Sequence, residues 1–182
     1  MKRKTAKELL AESLRELAAD KNVDRIRVRD IVENCGYSTA TFYRNFKDKY
    51  DLIAWDYTRE IKEILDQVGG DRTTWKQALS DVAAYYEENR IYLKNLLLHT
   101  NGYDSFSRYM TEINNDILNE RIRLTCGDDT IDEKTEMFIR LYCFGTVCLT
   151  CEWIMGKYSV GREDLIDVYE RSLPESLHKY LY

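Results

Sequence analysis

One proline, Pro174, and eight glycines are the only strong helix breakers among 182 residues. Folds rich in strands need frequent turn residues, so this scarcity argues against them and predicts an all-α chain. Histidine is also sparse. His99 and His178 stand alone, and neither falls in a metal-ligand or catalytic spacing. There is no glycine-rich phosphate loop. Carboxylates are plentiful, but they are scattered as on solvated helix faces, with no acid–base pair in a diagnostic setting. No catalytic residue, metal ligand or cofactor is therefore expected, and an enzyme is not the reading.

The five cysteines, at 35, 126, 143, 148 and 151, are odd in number. The opening MKRKTAKELL lacks the apolar stretch of a secretory leader. Free thiols in a reducing cytoplasm are expected. Cys148 and Cys151 have C-x-x-C spacing, but a redox motif needs a βαβ context and a zinc site needs further ligands, so buried structural thiols are expected. Residues 138–156 are apolar and about as long as a membrane span, yet Arg140 and Glu152 interrupt them. The expectation is a helix buried on two sides within protein, with no membrane partner.

Charge is uneven. The formal total is −5, but residues 1–50 carry a net +4 and residues 51–182 a net −9. A basic head on an acidic body concentrates attraction for phosphate at one end. With 44% hydrophobic residues the chain can build a core.

Thr5 and Glu8 form a T-x-x-E capping box. Behind it, Ala6, Leu9, Leu10, Leu14, Leu17 and Ala18 recur at helical spacing. A second helix is expected over about 27–34, a Cys35-Gly36 turn after it, and a third helix from the Ser38 cap to about Phe46. Further helices are predicted near 48–68, 73–89, 91–99, 104–125, 132–157 and 162–181, about nine in all. Gly69-Gly70-Asp71 reads as a hinge, and Gly102, Gly127 and residues 156–161 separate the later helices. The domain boundary is expected near residue 50, dividing a three-helix head, 1–50, from a larger helical domain, 51–182.

Residues 25–52 carry the functional signal. A helix that reads DNA presents short polar side chains at its N-terminal end, where it meets base edges. Ser38, Thr39, Ala40 and Thr41 fit that role: hydroxyls can hydrogen-bond, threonine methyls can meet thymine methyls, and Ala40 permits close approach. Tyr43 is one residue past the inward Phe42 and can reach a phosphate, with Arg44 beside it. Lys49 opens the fourth helix, where its charge and free N–H groups suit a phosphate. Arg27 and Arg29 open the second helix, which crosses the backbone in this geometry.

Val28-Arg29-Asp30-Ile31-Val32, followed by Cys35-Gly36-Tyr37-Ser38-Thr39-Ala40-Thr41-Phe42-Tyr43-Arg44-Asn45-Phe46-Lys47-Asp48-Lys49, resembles the signature of the tetracycline-repressor (TetR/AcrR) family. The resemblance covers about residues 5–60. It implies a helix-turn-helix DNA-binding head, a C-terminal ligand and dimerisation domain, and a homodimer on a palindromic double-stranded DNA operator. It implies base contacts from Ser38, Thr39, Ala40 and Thr41, and phosphate contacts from Tyr43 and Lys49. Ala40 stands where glycine is frequent in that family. Val28 stands where a hydroxyl residue often caps helix two, so Arg27 and Arg29 are favoured as its contacts. Tyr92-Leu93-Lys94-Asn95-Leu96-Leu97, Ser105-Phe106 and the helix over 138–153 loosely resemble regulators of dihydroxyacetone kinase operons.

In the body, a pocket for a small-molecule effector is expected from Tyr92, Leu96, His99, Phe106, Tyr109, Met110, Tyr142 and Trp153, with Trp75, Tyr85, Tyr86 and Tyr103 as further wall candidates. Tyrosine, present fourteen times, supplies apolar wall and hydroxyl together. The 132–157 helix has two apolar faces; the resemblance implies that the final two helices pair with their symmetry mates in a four-helix bundle, and the alternative is burial of both faces within one subunit. A dimer interface is expected from Phe144, Val147, Cys151, Met155, Leu165, Tyr169 and Leu173. Repression by blocking polymerase is the default outcome, and control by a co-regulator protein is the alternative to a small molecule. The competing readings are an activator of the dihydroxyacetone kinase regulator type and a helical interaction protein that does not bind DNA.

Overall fold

Thr5 and Glu8 close the first helix reciprocally. The Glu8 N–H donates to Thr5 Oγ1 at 3.3 Å and the Thr5 N–H to Glu8 Oε2 at 2.6 Å, and α1 then runs Ala6–Asp20. In this computed structural model the described residues are 4–67, 74–102, 105–126 and 131–182. The expected hinge at Gly69-Gly70-Asp71, Gly127 and the wall candidate Tyr103 lie outside them. All regular structure among the described residues is helical.

After α1 comes a 3-10 turn, Val23–Arg25, then α2, Val28–Asn34, and α3, Thr39–Asn45. Between α2 and α3 the chain needs one left-handed residue. Gly36 supplies it at φ 72°, which lets the Tyr37 N–H donate to Val32 O at 2.8 Å. The Ser38 hydroxyl caps α3 by accepting the Thr41 N–H at 3.2 Å. The 3-10 turn was not legible as an element, since three residues carry no period.

The remaining helices are α4, Lys49–Leu65; α5, Trp75–Glu88; α6, Arg90–His99; α7, Phe106–Cys126; α8, Glu133–Ile154; α9, Arg162–Ser172; and α10, Glu175–Leu181. That makes ten among the described residues, against about nine expected. The difference is Pro174. It has no N–H to give a helical ladder and holds Leu173 out of the α region, at φ −64° and ψ 122°. The single helix expected over 162–181 is therefore two.

Two compact units result. The first comprises the chain up to Arg59 together with Ile91–Phe106. Its core gathers Leu10, Leu14, Ile26, Ile31, Phe42, Phe46, Leu52 and Tyr57, all buried. Phe42 and Phe46, one turn apart on α3, stand 5.8 Å between ring centroids, and Phe46 lies 5.6 Å from Trp55. Burying each such ring contributes about 2 kcal/mol. Because that face of α3 packs inward, its other face is left to solvent. Ser13 ties α1 to α2 through a buried hydroxyl that donates to Ile31 O at 2.7 Å.

The second unit is Glu60–Arg90 with Ser107–Tyr182. Here α5 packs on α9 and α10 on α8. The Arg90 guanidinium donates to Trp153 O at 2.6 Å and Ile154 O at 3.1 Å, satisfying carbonyls at the end of α8. The helix expected to be buried on two sides is covered on one. Ile139, Tyr142, Cys143, Val147, Trp153 and Ile154 are buried, whereas Met137, Leu141, Phe144 and Cys148 lie exposed in a stripe. By length and composition α8 could cross a membrane, but a partly buried core helix has the same properties.

Candidate nucleic-acid interface and body cavity

The N-terminal end of α3 is open. Ser38, Thr39 and Ala40 are exposed, as are Tyr43, at 61% of its surface, and Arg44. Tyr43 points away from the core because its neighbour Phe42 is fully buried. Part of this surface is ordered by its own bonds. Thr41 Oγ1 lies 3.1 Å from Ser38 Oγ, and Arg44 Nη2 donates to Thr41 Oγ1 at 3.1 Å. Thr41 is half-buried by this network, which leaves Thr39 and Ala40 as the barest positions. Arg27 and Arg29 are exposed at the start of α2. Arg29 Nε donates to Glu33 Oε1 at 2.6 Å, and that pairing raises its already high pKa. The Arg27 N–H donates to Asp30 Oδ2 at 2.9 Å, holding the Asp30 carboxyl below its usual range.

Lys49 is placed differently from the other cations. Its ammonium donates to Val23 O at 2.7 Å, Asp24 O at 2.8 Å and Ile26 O at 2.9 Å. Partial burial lowers its pKa while Asp24 opposes that shift. The first N–H groups of α4 are engaged as well, since Tyr50 and Asp51 both donate to Asp48 Oδ1 at 2.9 Å. Both means by which Lys49 was expected to meet a phosphate are therefore already in use within the chain. The 3-10 turn it grips is held on its other side by Asn95 of α6. Asn95 Oδ1 accepts the Val23 N–H at 2.9 Å, and its Nδ2 donates to Ala18 O and Lys21 O, each at 2.7 Å. Sequence reading missed Asn95, because its partners lie more than 70 positions away.

A cavity of about 100 Å³ lies within the second unit, walled by residues at the end of α4 and on α5, α7, α8 and α9. Of the eight expected pocket residues only Tyr142 lines it. Two further wall candidates, Trp75 and Tyr86, line it too. Tyr92, Leu96 and Phe106 are buried in the first unit instead, and His99 faces Asp24 there at 3.8 Å. Tyr109 and Met110 lie on α7 away from the cavity, and the Trp153 indole donates to Val160 O at 3.0 Å. The unexpected walls are Asn114, Ile117, Leu118 and Arg121 of α7. Their spacing of three and four residues is a legible helix face, obscured by the weight placed on aromatic residues.

Burial pushes the hydroxyls of Tyr142 and Tyr169 well above the ordinary tyrosine value of about 10. Tyr142 donates to Tyr169 O at 3.1 Å, and the Tyr169 hydroxyl pairs with Thr150. The sign of the linkage is set by these raised values. Above pH ~10 the unfolded chain loses these protons while the folded chain retains them, so stability falls as pH rises. Tyrosinate absorbance from Tyr142 and Tyr169 is expected to appear only together with loss of the helical circular-dichroism signal.

Of the residues expected at a dimer interface, Val147, Leu165, Tyr169 and Leu173 are buried in their own subunit, and Cys151 and Met155 are half-buried. Phe144 is 64% exposed and lies on the stripe with Met137, Leu141 and Cys148. Burial also pushes the Cys143 and Cys151 thiols up to about 12, which suits inert structural cysteines. No cluster of three or more metal-ligating side chains occurs among the described residues.

A family model described as bacterial regulatory proteins, tetR family, matches residues 5–54, and one described as transcriptional regulator C-terminal region matches residues 73–174. A comparison with curated proteins gives no match. Among solved structures, the fold is similar to that of a dihydroxyacetone kinase operon activator, DhaS. The TM-score is 0.64 at 19% identity, over 96% of this chain and 95% of that one. It is similar to a TetR transcriptional regulator from Rhodococcus sp. RHA1, with a TM-score of 0.61 at 17% identity, over 95% of this chain and 97% of the other. It is also similar to the fatty acid degradation regulator FadR from Bacillus halodurans, with a TM-score of 0.61 at 16% identity, over 97% and 99% of the two chains. At such identities the likeness is one of fold. Together with the two family matches, it establishes that this chain belongs to the tetR family of DNA-binding transcriptional regulators.

Proposed function

We propose that this regulator acts in the cytoplasm as a homodimer, seats α3 of each copy in the major groove of a near-palindromic operator, and represses transcription by occupying that site. The observation that carries the reading is the bare Ser38-Thr39-Ala40 end of α3 beside exposed Tyr43 and Arg44. Thr39 and Ala40 meet base edges, with Ser38 and Thr41 beside them. Tyr43, Arg44, Arg27 and Arg29 hold phosphates. Lys49 contributes by fixing the 3-10 turn, as its three carbonyl partners suggest. Residues 1–50 supply the DNA-binding head and 51–182 the body. The stripe Met137, Leu141, Phe144 and Cys148 supplies the apolar surface for the second copy. A small molecule in the body cavity alters the spacing of the two heads and so the affinity for DNA.

The test is an electrophoretic mobility assay with DNA from upstream of the regulator's own gene, at two salt concentrations. Wild-type binding weakens as salt rises. Tyr43→Ala weakens binding about tenfold on all sequences alike and leaves the salt dependence unchanged, because a neutral hydroxyl displaces no counterion. Thr39→Ala changes base preference at one position of each half-site, by about 1–3 kcal/mol. Unchanged affinity and preference in both variants would remove α3 as the reader.

The fold likeness to an operon activator favours a second reading, activation from an upstream site. The two readings share every DNA contact and differ in operator position. A footprint overlapping the promoter supports repression, and one upstream of it supports activation.

A further inference from the structure

Two buried donors on the wall of the body cavity lack a hydrogen-bond partner among the described residues. Trp75 lines it with only 5% of its surface exposed, and its indole N–H has no hydrogen-bond partner among the described residues. That N–H lies against the Tyr142 hydroxyl and opposes the upward push of burial on it, but the contact falls short of a full hydrogen bond. Arg121, a half-buried residue of α7, also lines the cavity, and its Nε is likewise buried and unpartnered. Among the described residues no ion pair engages the Arg121 guanidinium.

The oxygens nearby are already in use. Tyr142 donates to Tyr169 O, Thr150 pairs with the Tyr169 hydroxyl, and Thr146 Oγ1 donates to Tyr142 O at 2.8 Å. Two carboxylates, Asp66 and Glu120, also line the cavity, and Lys62 holds Glu120 at 3.0 Å. Lys62 also lies within electrostatic reach of Asp66, whereas among the described residues neither carboxylate forms an ion pair with Arg121. Most of the rest of the wall is apolar, with Leu79, Val82, Ile117 and Leu118 prominent.

A buried donor without an acceptor is costly, and one on a charged group more so. Two such donors on the wall of one cavity mark the place of a missing acceptor. A planar carboxylate suits them best, because guanidinium groups bind it through directed, charge-assisted bonds. Size bounds the remainder of the ligand. The volume of about 100 Å³ is on the order of engineered apolar cavities that hold one benzene-sized molecule.

From this, the geometry points to a small monocarboxylic acid, with one ring or a short aliphatic chain, as the ligand of the body cavity. Its carboxylate meets Trp75 Nε1 and Arg121 Nε, and its apolar part lies against Leu79, Val82, Ile117 and Leu118. This inference rests on the proposed control by a small molecule and names its chemical class.

The experiment compares benzoate and hexanoate with the neutral benzamide on the full-length protein, by thermal shift and calorimetry. At about 1 mM, both acids raise the melting temperature, and benzamide has a smaller effect. Arg121→Gln weakens benzoate roughly tenfold or more. Trp75→Phe, which keeps an aromatic wall, also weakens it. Circular dichroism identifies any variant that fails to fold, and the other variant then carries the test. Equal response to benzoate and benzamide, undiminished benzoate binding in both folded variants, or no response to either acid overturns the inference. Binding of benzamide with release of DNA overturns the carboxylate class and leaves effector control standing. Benzoate binding that depends on Arg121 but leaves DNA affinity unchanged upholds the class and removes effector control.

Discussion

Lys49→Ala is expected to abolish operator binding by loosening the head rather than by deleting a phosphate contact. The ammonium donates to three carbonyls, Val23, Asp24 and Ile26, all within 2.9 Å. Each belongs to the segment between α1 and α2, where of the three only Val23 O has a backbone partner as well, the Ile26 N–H at 3.2 Å. Removing the donor leaves partly buried carbonyls short of a partner. A charge-assisted bond contributes about 1.5–3 kcal/mol. Partial exposure of Lys49 discounts the three together to about 2–3 kcal/mol. The expected readout is a drop in melting temperature without DNA, with faster amide exchange in α1 and α2. Tyr43→Ala should show neither change, because Tyr43 is exposed and packs little. Lys49→Arg should rescue poorly, since a planar fork cannot place its donors on three converging oxygens as an ammonium can. A Lys49→Ala protein with native stability but lost DNA affinity would return Lys49 to the phosphate.

Asn95→Ala is expected to have an effect of similar size, from a residue far from α3 in sequence. Its side-chain amide accepts from Val23 and donates to Ala18 and Lys21. It thereby closes the C-terminal end of α1 and fixes the same 3-10 turn that Lys49 holds from the opposite side. Three neutral bonds of about 1 kcal/mol each set the expected loss near 3 kcal/mol. Asn95→Asp tests the detail. It keeps the acceptor for the Val23 N–H but replaces the donor with an oxygen facing two carbonyls, so it should destabilise at least as much. Denaturant melts of the full chain measure both. Since Lys49 and Asn95 share the turn, the double variant should be less destabilised than the sum of the two singles. Strict additivity would mean that the turn is not a single cooperative element.

Local chemistry was legible in the sequence wherever the partners lie within one helical turn. The Thr5–Glu8 box, the left-handed Gly36, the Ser38 cap and the inward pair Phe42 and Phe46 each involve residues no more than four apart, and all are present as expected. Pro174 is visible too, and its ring and missing N–H divide the last helical stretch into α9 and α10. Long-range pairings were not legible. Nothing near Lys49 reveals that carbonyls some 25 positions earlier converge on its ammonium. Nothing near Asn95 predicts a bond to α1. The cavity shows a third kind of gap. Aromatic content drew attention to Tyr92 and Phe106, which fill the first unit, while the ordinary face Asn114, Ile117, Leu118 and Arg121 forms the wall.

The shortness of α3 limits how much address a single subunit can read. Seven residues, Thr39–Asn45, span about 10 Å of helix, and the duplex advances about 3.4 Å per base pair. One such rod can face only about three consecutive pairs, and a three-letter word recurs by chance roughly every 64 pairs, far too often to single out one promoter among the competing sites of a genome. On the proposed dimer, selectivity comes from combining two short words at a fixed spacing, and from the bendability of the duplex between them.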